Sequence, residues 1–298
     1  MRKNFRPLRQ EIQQGLQLPR FVVKCNLEIC GEVNAVESYR AEIAAHLPAP
    51  RQNWQVFHSV DSTNLVCKRW APEGAPDGSV AIADHQTAGR GRLGRSFQSE
   101  AGLGLYLSIL WRPGLSPQQL LPLPALGAVA AARAVESVCG VRPQIKWPND
   151  LVLADRKIAG ILTESVLLGS DAAVVLGIGI NVSHRAEDFA GEVRDIAASL
   201  EMVTGKPVSR GALAAALMEA LDALRREALT DPAAWLAEYR SCCLTVGREV
   251  QVITGTECHR ALALGVDEDY GLRVRWENGE ETTVRAGEVS VRGLYGYV

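Results

Sequence analysis

The stretch Asp84-His85-Gln86-Thr87-Ala88-Gly89-Arg90-Gly91-Arg92-Leu93-Gly94-Arg95 is the most unusual in the chain. Its glycines let backbone approach a ligand closely. Its three arginines offer paired donors to phosphate or carboxylate. Gly89, Gly91 and Gly94 fall at G-x-G-x-x-G spacing, but a dinucleotide fold needs a helix directly afterwards. Ser96 to Gly104 is polar and contains glycine, so that fold is rejected. An anionic ligand remains, such as a nucleotide or an acyl phosphate, with a solvated basic turn as the plain alternative.

A second group is Lys146-Trp147-Pro148-Asn149-Asp150 followed by Arg156-Lys157-Ile158-Ala159-Gly160. If the flanking strands pair as a hairpin, both lysines and Asp150 converge. Lysine can neutralise charge developing on a phosphate, and a carboxylate can orient or deprotonate an amine. A polar hairpin with a simple turn is the bland alternative. A third group, Gly177-Ile178-Gly179-Ile180-Asn181, closes a strand, where glycines suggest close approach of a ligand or of another backbone. Asn181 could bind a ribose or a phosphate-bound metal.

The elements that would position these groups alternate. Val36, Tyr39, Ile43 and Leu47 predict a helix over 35–46, broken at Pro48-Ala49-Pro50. Strands are expected over 53–60, 79–83 and 104–111, then over 144–147, 151–153, 157–168 and 173–180. Asp61-Ser62-Thr63-Asn64 has the character of a helix N-terminus, with the helix continuing over 65–70. The segment 120–139 is expected to be the longest helix. Its Pro122, Pro124, Arg133 and Glu136 mark it as buried in protein rather than membrane-spanning. Amphipathic helices are expected over 211–227 and 233–243. Past residue 246 come short strands over 249–253, 258–266, 272–276 and 281–285, separated by turns such as Asn278-Gly279. That pattern implies a small β-barrel.

The whole chain is 298 residues with 32 Lys+Arg against 34 Asp+Glu, a net charge of -2 and 47% apolar residues. Those values exclude a disordered chain, a collagen-like repeat and a highly basic nucleic-acid coat. Seven cysteines without regular spacing make a poor disulfide framework and, with no secretory pattern after Met1, point to the cytoplasm.

Taken in order, Ser62-Thr63-Asn64, the Gly89 to Arg95 loop, Lys146 to Asp150, Lys157-x-x-Gly160 and Gly177-x-Gly179-x-Asn181 resemble the motifs of biotin protein ligases. Gly287-Glu288-Val289-Ser290-Val291-Arg292 resembles that family's closing motif. The resemblance covers about residues 40 to 293. It implies an α/β (α+β) fold, a mixed-sheet catalytic domain of the biotin/lipoate ligase type with a small C-terminal SH3-like β-barrel. The expected divisions are an N-terminal extension over 1–40, a catalytic domain over 41–246 and the barrel over 247–298. Leu93 stands where many members carry a polar residue.

The resemblance also implies a two-step reaction. Biotin and ATP form biotinyl-adenylate, and a lysine of a biotin carboxyl carrier domain then takes the biotinyl group. Ser62, Thr63, Asn64, Gln86, Arg90, Gly91 and Arg92 are the expected biotin contacts. Lys157 would bridge the biotin carboxylate and the α-phosphate. Arg92, Arg95, Lys146, Asn181, Glu288 and Arg292 would face the nucleotide, with Mg²⁺ carried on its phosphates near Asn181. Lys157, Arg92 and Asp150 are the expected catalytic residues, Asp150 positioning the acceptor lysine. A mixed anhydride must be kept from water, so the glycine-rich loop is expected to order over it.

Many bacterial members also begin with a DNA-binding domain and repress transcription. Residues 1–39 carry no recognisable pattern of that kind, so nucleic acid is not an expected partner. A membrane is not expected either. An exposed edge of the central sheet would support a homodimer. Two readings stay open beside the ligase: a lipoate or octanoyl ligase or transferase on the same scaffold, and a biotin-responsive binding protein.

Overall fold

The computed structural model describes residues 30–112, 114, 122–168, 171–191, 193–285, 290–293 and 297. A seven-stranded mixed sheet forms the larger part. Its strands are β1 (Trp54–Val60), β2 (Ser79–Gln86), β3 (Gly104–Trp111), β4 (Gln144–Lys146), β5 (Asp150–Leu153), β6 (Arg156–Leu168) and β7 (Asp171–Asn181), in the order β1-β2-β3-β7-β6-β5-β4. Only β1 and β2 run parallel, because helix α2 (Thr63–Trp70) crosses over between them. The other neighbours are antiparallel, and β4, β5 and β6 are joined by tight turns.

Helices cover both faces of this sheet. On one lie α1 (Cys30–His46), α3 (Leu123–Cys139), α6 (Arg210–Thr230) and α7 (Pro232–Cys242). On the other, α2 packs Val66, Cys67 and Trp70 against Ala81, Leu110 and Val175. The strands buried on both faces are continuous apolar runs, and β3 is buried at every position. Helix α3 is alanine-rich because it lies close to the sheet. A Cβ on its Gly127 would come within 2.9 Å of Leu176. It is buried in protein, as its sequence implied. It is not the longest helix, however. That is α6 among the described residues, with 21 residues against 17, capped by Ser209 and running on until the Asp231-Pro232 break.

Two short helices, α4 (Val193–Ile196) and α5 (Leu200–Thr204), follow β7. The chain then forms a five-stranded antiparallel sheet from β8 (Glu249–Thr254), β9 (Glu257–Val266), β10 (Leu272–Trp276), β11 (Glu281–Val284) and β12 (Ser290–Gly293), in the order β11-β10-β9-β8-β12. This is the small SH3-like unit. Strand β12 was not among the expected strands. Its four residues pair with β8 and close the sheet at that edge.

The two sheets are tied together at the β4–β5 turn. Trp147 is buried, its backbone N–H donates to Thr245 Oγ1 at 2.9 Å, and its indole N–H donates to the Tyr270 carbonyl at 3.1 Å. Leu244 N–H also donates to the Ile145 carbonyl at 3.0 Å. No helix among the described residues is long and apolar enough to cross a membrane.

Candidate active site

Helix α2 begins where β1 ends, and its first turn carries the first group. Ser62 is the N-cap, yet its hydroxyl makes no capping bond. Thr63 donates its backbone N–H to Gln86 Oε1 at 2.8 Å, which fixes the end of β2 against the helix start. Gln86 Nε2 in turn donates to Ser99 Oγ at 2.8 Å. Ser62, Thr63 and Asn64 are all buried.

The glycine-rich segment folds as a closed loop. Phe97 N–H donates to the Gly89 carbonyl at 2.9 Å and Gly91 N–H to the Arg95 carbonyl at 2.7 Å, with a short 3₁₀ turn over Arg92–Gly94 between them. Gly89 has no room for a side chain, since a Cβ there would lie 2.3 Å from the Phe97 carbonyl oxygen. Leu93, at φ 56°, stands at the rim of the loop, 64% exposed. Arg92 turns inward, and its Nη1 donates to Asn149 Oδ1 at 3.0 Å. Burial pushes its guanidinium pKa down, although arginine stays charged. Arg90 reaches Glu164 on β6 at 3.5 Å.

The β4–β5–β6 meander brings the second group together. Lys146 pairs in register with Asp150, and Asp150 with Gly160. Lys157 Nζ then lies 2.7 Å from Asp150 Oδ1. Burial alone would raise the Asp150 pKa, but Lys157, the Tyr297 hydroxyl and Lys146 together hold it below the usual carboxylate value. Tyr297, beyond β12, donates its hydroxyl to Asp150 Oδ2, and its carbonyl accepts from Lys146 Nζ. Its ring lies under that ammonium, 3.6 Å from nitrogen to centroid.

The third group explains its own glycines. A Cβ on Gly177 would fall 1.8 Å from Asn64 Oδ1, and one on Gly179 would fall 2.6 Å from the Phe97 ring. Both side chains therefore lie flat on β7. Asn181 ends the strand with its Nδ2 donating to the Ala198 carbonyl at 3.2 Å, which leaves its Oδ1 as an acceptor at the cavity wall.

One cavity of about 510 Å³ unites these pieces. Ser62, Thr63, Asn64, Gln86, Arg90, Gly91, Arg92, Arg95, Lys146, Asp150, Lys157 and Asn181 all line it. Glu288 and the Arg292 side chain lie outside the described residues. Among the described lining residues Arg90, Arg92, Arg95, Lys146 and Lys157 are cationic, and Asp150 is the sole carboxylate. Such a cavity favours an anion and repels a bare cation. It also supplies no metal cage of its own. The described residues contain no cluster of three or more His, Cys, Asp or Glu that could hold an ion.

Sequence reasoning missed several contributors. Phe97 and Tyr297 both line the cavity. Asn149 orients Arg92, while Ser108 and Glu164 hold the Asn64 carboxamide from behind. Asn149 stood inside a recognised motif and Phe97 at the end of the arginine loop, but the others gave no local signal.

A sequence model of the Biotin/lipoate A/B protein ligase family matches residues 56–181, the segment carrying most of this cavity. Among curated relatives, the bifunctional ligase/repressor BirA of Bacillus spizizenii is 33% identical over 74% of this chain and 68% of its own length. The biotin–[acetyl-CoA-carboxylase] ligase of Mycobacterium tuberculosis is 33% identical over 78% of this chain and 87% of its own. Among solved structures, the biotin protein ligase of Aquifex aeolicus in complex with biotin and ATP superposes with a TM-score of 0.70 at 30% identity, covering 82% of this chain and all of that one. The chain belongs to the biotin protein ligase family and is a ligase.

Proposed function

We propose that the protein attaches biotin to a lysine of a biotin carboxyl carrier domain, using ATP and passing through biotinyl-adenylate. The observation that carries this reading is one cavity lined, among the described residues, by five cationic side chains and one half-buried, ion-paired carboxylate. Biotin carboxylate and ATP are both anions, so their approach demands cationic screening. The names of the Mycobacterium and Aquifex relatives support the substrates.

In the first step an oxygen of the biotin carboxylate attacks the α-phosphorus, and the bond to pyrophosphate breaks. Lys157 is placed to bridge both reacting anions, and Arg92 and Arg95 to take up charge on the phosphates. Mg²⁺ would arrive on the phosphates and screen their charge, because the described lining residues offer it no carboxylate set. The Asn181 Oδ1 suits that ion or a ribose hydroxyl. Ser62, Thr63, Asn64, Gln86, Arg90 and Gly91 form the biotin end. Lys146 is assigned to the nucleotide side, where the family resemblance would also put Glu288 and Arg292 of the closing motif.

In the second step the acceptor amine attacks the acyl carbon, an amide forms and AMP leaves. Asp150 attracts and orients the incoming ammonium, which loses one proton to solvent to become the attacking amine and a second as the amide forms. With its pKa held low, it acts through its charge and not as a strong base. We read residues 41–246 as the catalytic domain, 247–298 as the SH3-like barrel and 1–40 as an extension. The protein is expected to work in the cytoplasm.

Incubating the protein with biotin and MgATP, without acceptor, tests this. Pyrophosphate release with a tightly held biotinyl-adenylate, seen by mass spectrometry, is the expected result. Activity with lipoate in place of biotin, or with neither acid, would overturn the reading.

A further inference from the structure

Behind the proposed biotin end stand side chains that do not line the cavity. Ser108, wholly buried in β3, places its Oγ 2.7 Å from Thr63 Oγ1 and 2.6 Å from Asn64 Oδ1. Glu164 on β6 accepts from Asn64 Nδ2 at 2.9 Å, and the same nitrogen reaches the Leu162 carbonyl at 3.3 Å. Glu164 also has Lys68 at 3.0 Å and Arg90 at 3.5 Å.

These distances fix who donates. With two cations beside it, Glu164 is ionised and can only accept. It therefore holds the Asn64 carboxamide with nitrogen toward β6 and oxygen toward Ser108. The Asn64 oxygen can only accept, so Ser108 spends its one proton there. Ser108 Oγ is then free to accept at 2.7 Å from the Thr63 hydroxyl. The rival acceptor for that proton, Gln86 Oε1, is farther at 3.1 Å and already takes the Thr63 backbone N–H. What Thr63 has left for the cavity is a lone pair. The backbone enforces the arrangement, because any side chain at Gly177 would displace the Asn64 oxygen.

We propose that Glu164 and Ser108 are positioning residues that set the hydrogen-bonding sense of Thr63, so that this end of the cavity selects a ligand presenting an N–H donor. A cyclic urea presents one and a dithiolane does not. The proposal rests on the biotin reading above and adds to it a source of selectivity.

The test is calorimetric titration of the full chain with biotin and with its two cyclic carbamate analogues, in each of which one ring N–H is replaced by oxygen. The wild type should prefer biotin to at least one analogue. Ser108→Ala and Glu164→Ala should each weaken biotin on the order of ten-fold and narrow that preference, because a mis-set polar group inside the site costs affinity. Glu164→Gln should restore most of the affinity, since its amide oxygen can still accept from Asn64. KM for MgATP and kcat should stay within about two-fold of wild type. Unchanged affinity and preference in Ser108→Ala and Glu164→Ala would overturn the relay and leave the ligase reading standing. Equal losses for biotin and MgATP would overturn it too, as a merely structural effect. A wild type that binds no biotin would remove both.

Discussion

Lys157 and Asp150 lie 2.7 Å apart, and each limits what the other can do. Replacing Lys157 by alanine removes the cation proposed to bridge the reacting anions. Adenylate formation should then fall by roughly a hundred-fold or more while the protein stays folded, a loss of the size seen when one preorganised charge-stabilising group is deleted. Pyrophosphate release beside a circular dichroism spectrum checks both halves of that statement. Asp150 makes a second prediction. Its folded pKa lies below the ordinary value of 3.8, so its contribution to stability is complete above about pH 4 and is lost as pH falls through the folded value. Urea unfolding across this range should show the wild type losing stability more steeply on acidification than Asp150→Asn. Parallel curves would mean that the pair stabilises nothing.

The element that carries most of the arginine is the loop from Gly89 to Phe97. It is closed by its own backbone bonds and held against the sheet by two contacts, Arg90 to Glu164 and Arg92 to Asn149. Ligand that engages Arg90, Arg92 and Arg95 should withdraw them from trypsin. Cleavage within the loop should therefore slow in the presence of biotin and MgATP, and identical cleavage with and without them would count against ordering. At this scale the sequence was largely readable. The strands around β6 and β7 announce themselves through apolar runs, and the helix start at Ser62 through its cap residues. The site's supporting side chains were not. Ser108 sits in a strand where every residue is buried, so nothing local separates its hydroxyl from packing. Tyr297 reaches Asp150 across 147 residues, a pairing that only the closing of β12 on β8 creates. Helix α6 outran its expected end at residue 227 because the terminating signal is the Asp231-Pro232 step.

For the molecule as a whole, the two sheets share one apolar cluster. It runs from Ile43 and Val129 in the larger part to Val252, Leu272 and Val274 in the smaller. Tyr239 of α7 packs edge-on against Tyr270 at 5.2 Å between centroids, and Arg240 Nε donates to the Val266 carbonyl at 2.8 Å. A continuous core melts as a unit. Differential scanning calorimetry should accordingly show one transition, whereas two resolved transitions would mean that the small sheet unfolds on its own.

The burial of Trp147 has an optical consequence. Its indole is sealed at the seam between the two sheets, 1% exposed, with its N–H committed to a carbonyl of the smaller one. A fluorophore so placed emits in a dry, rigid setting only while both sides of the seam are present. Undocking would hydrate it and shift its emission to the red. Because the same five-residue motif supplies Lys146 and Asp150, the emission of this ring, isolated by replacing the other five tryptophans with phenylalanine, reports on whether that turn is held, in real time and without any label.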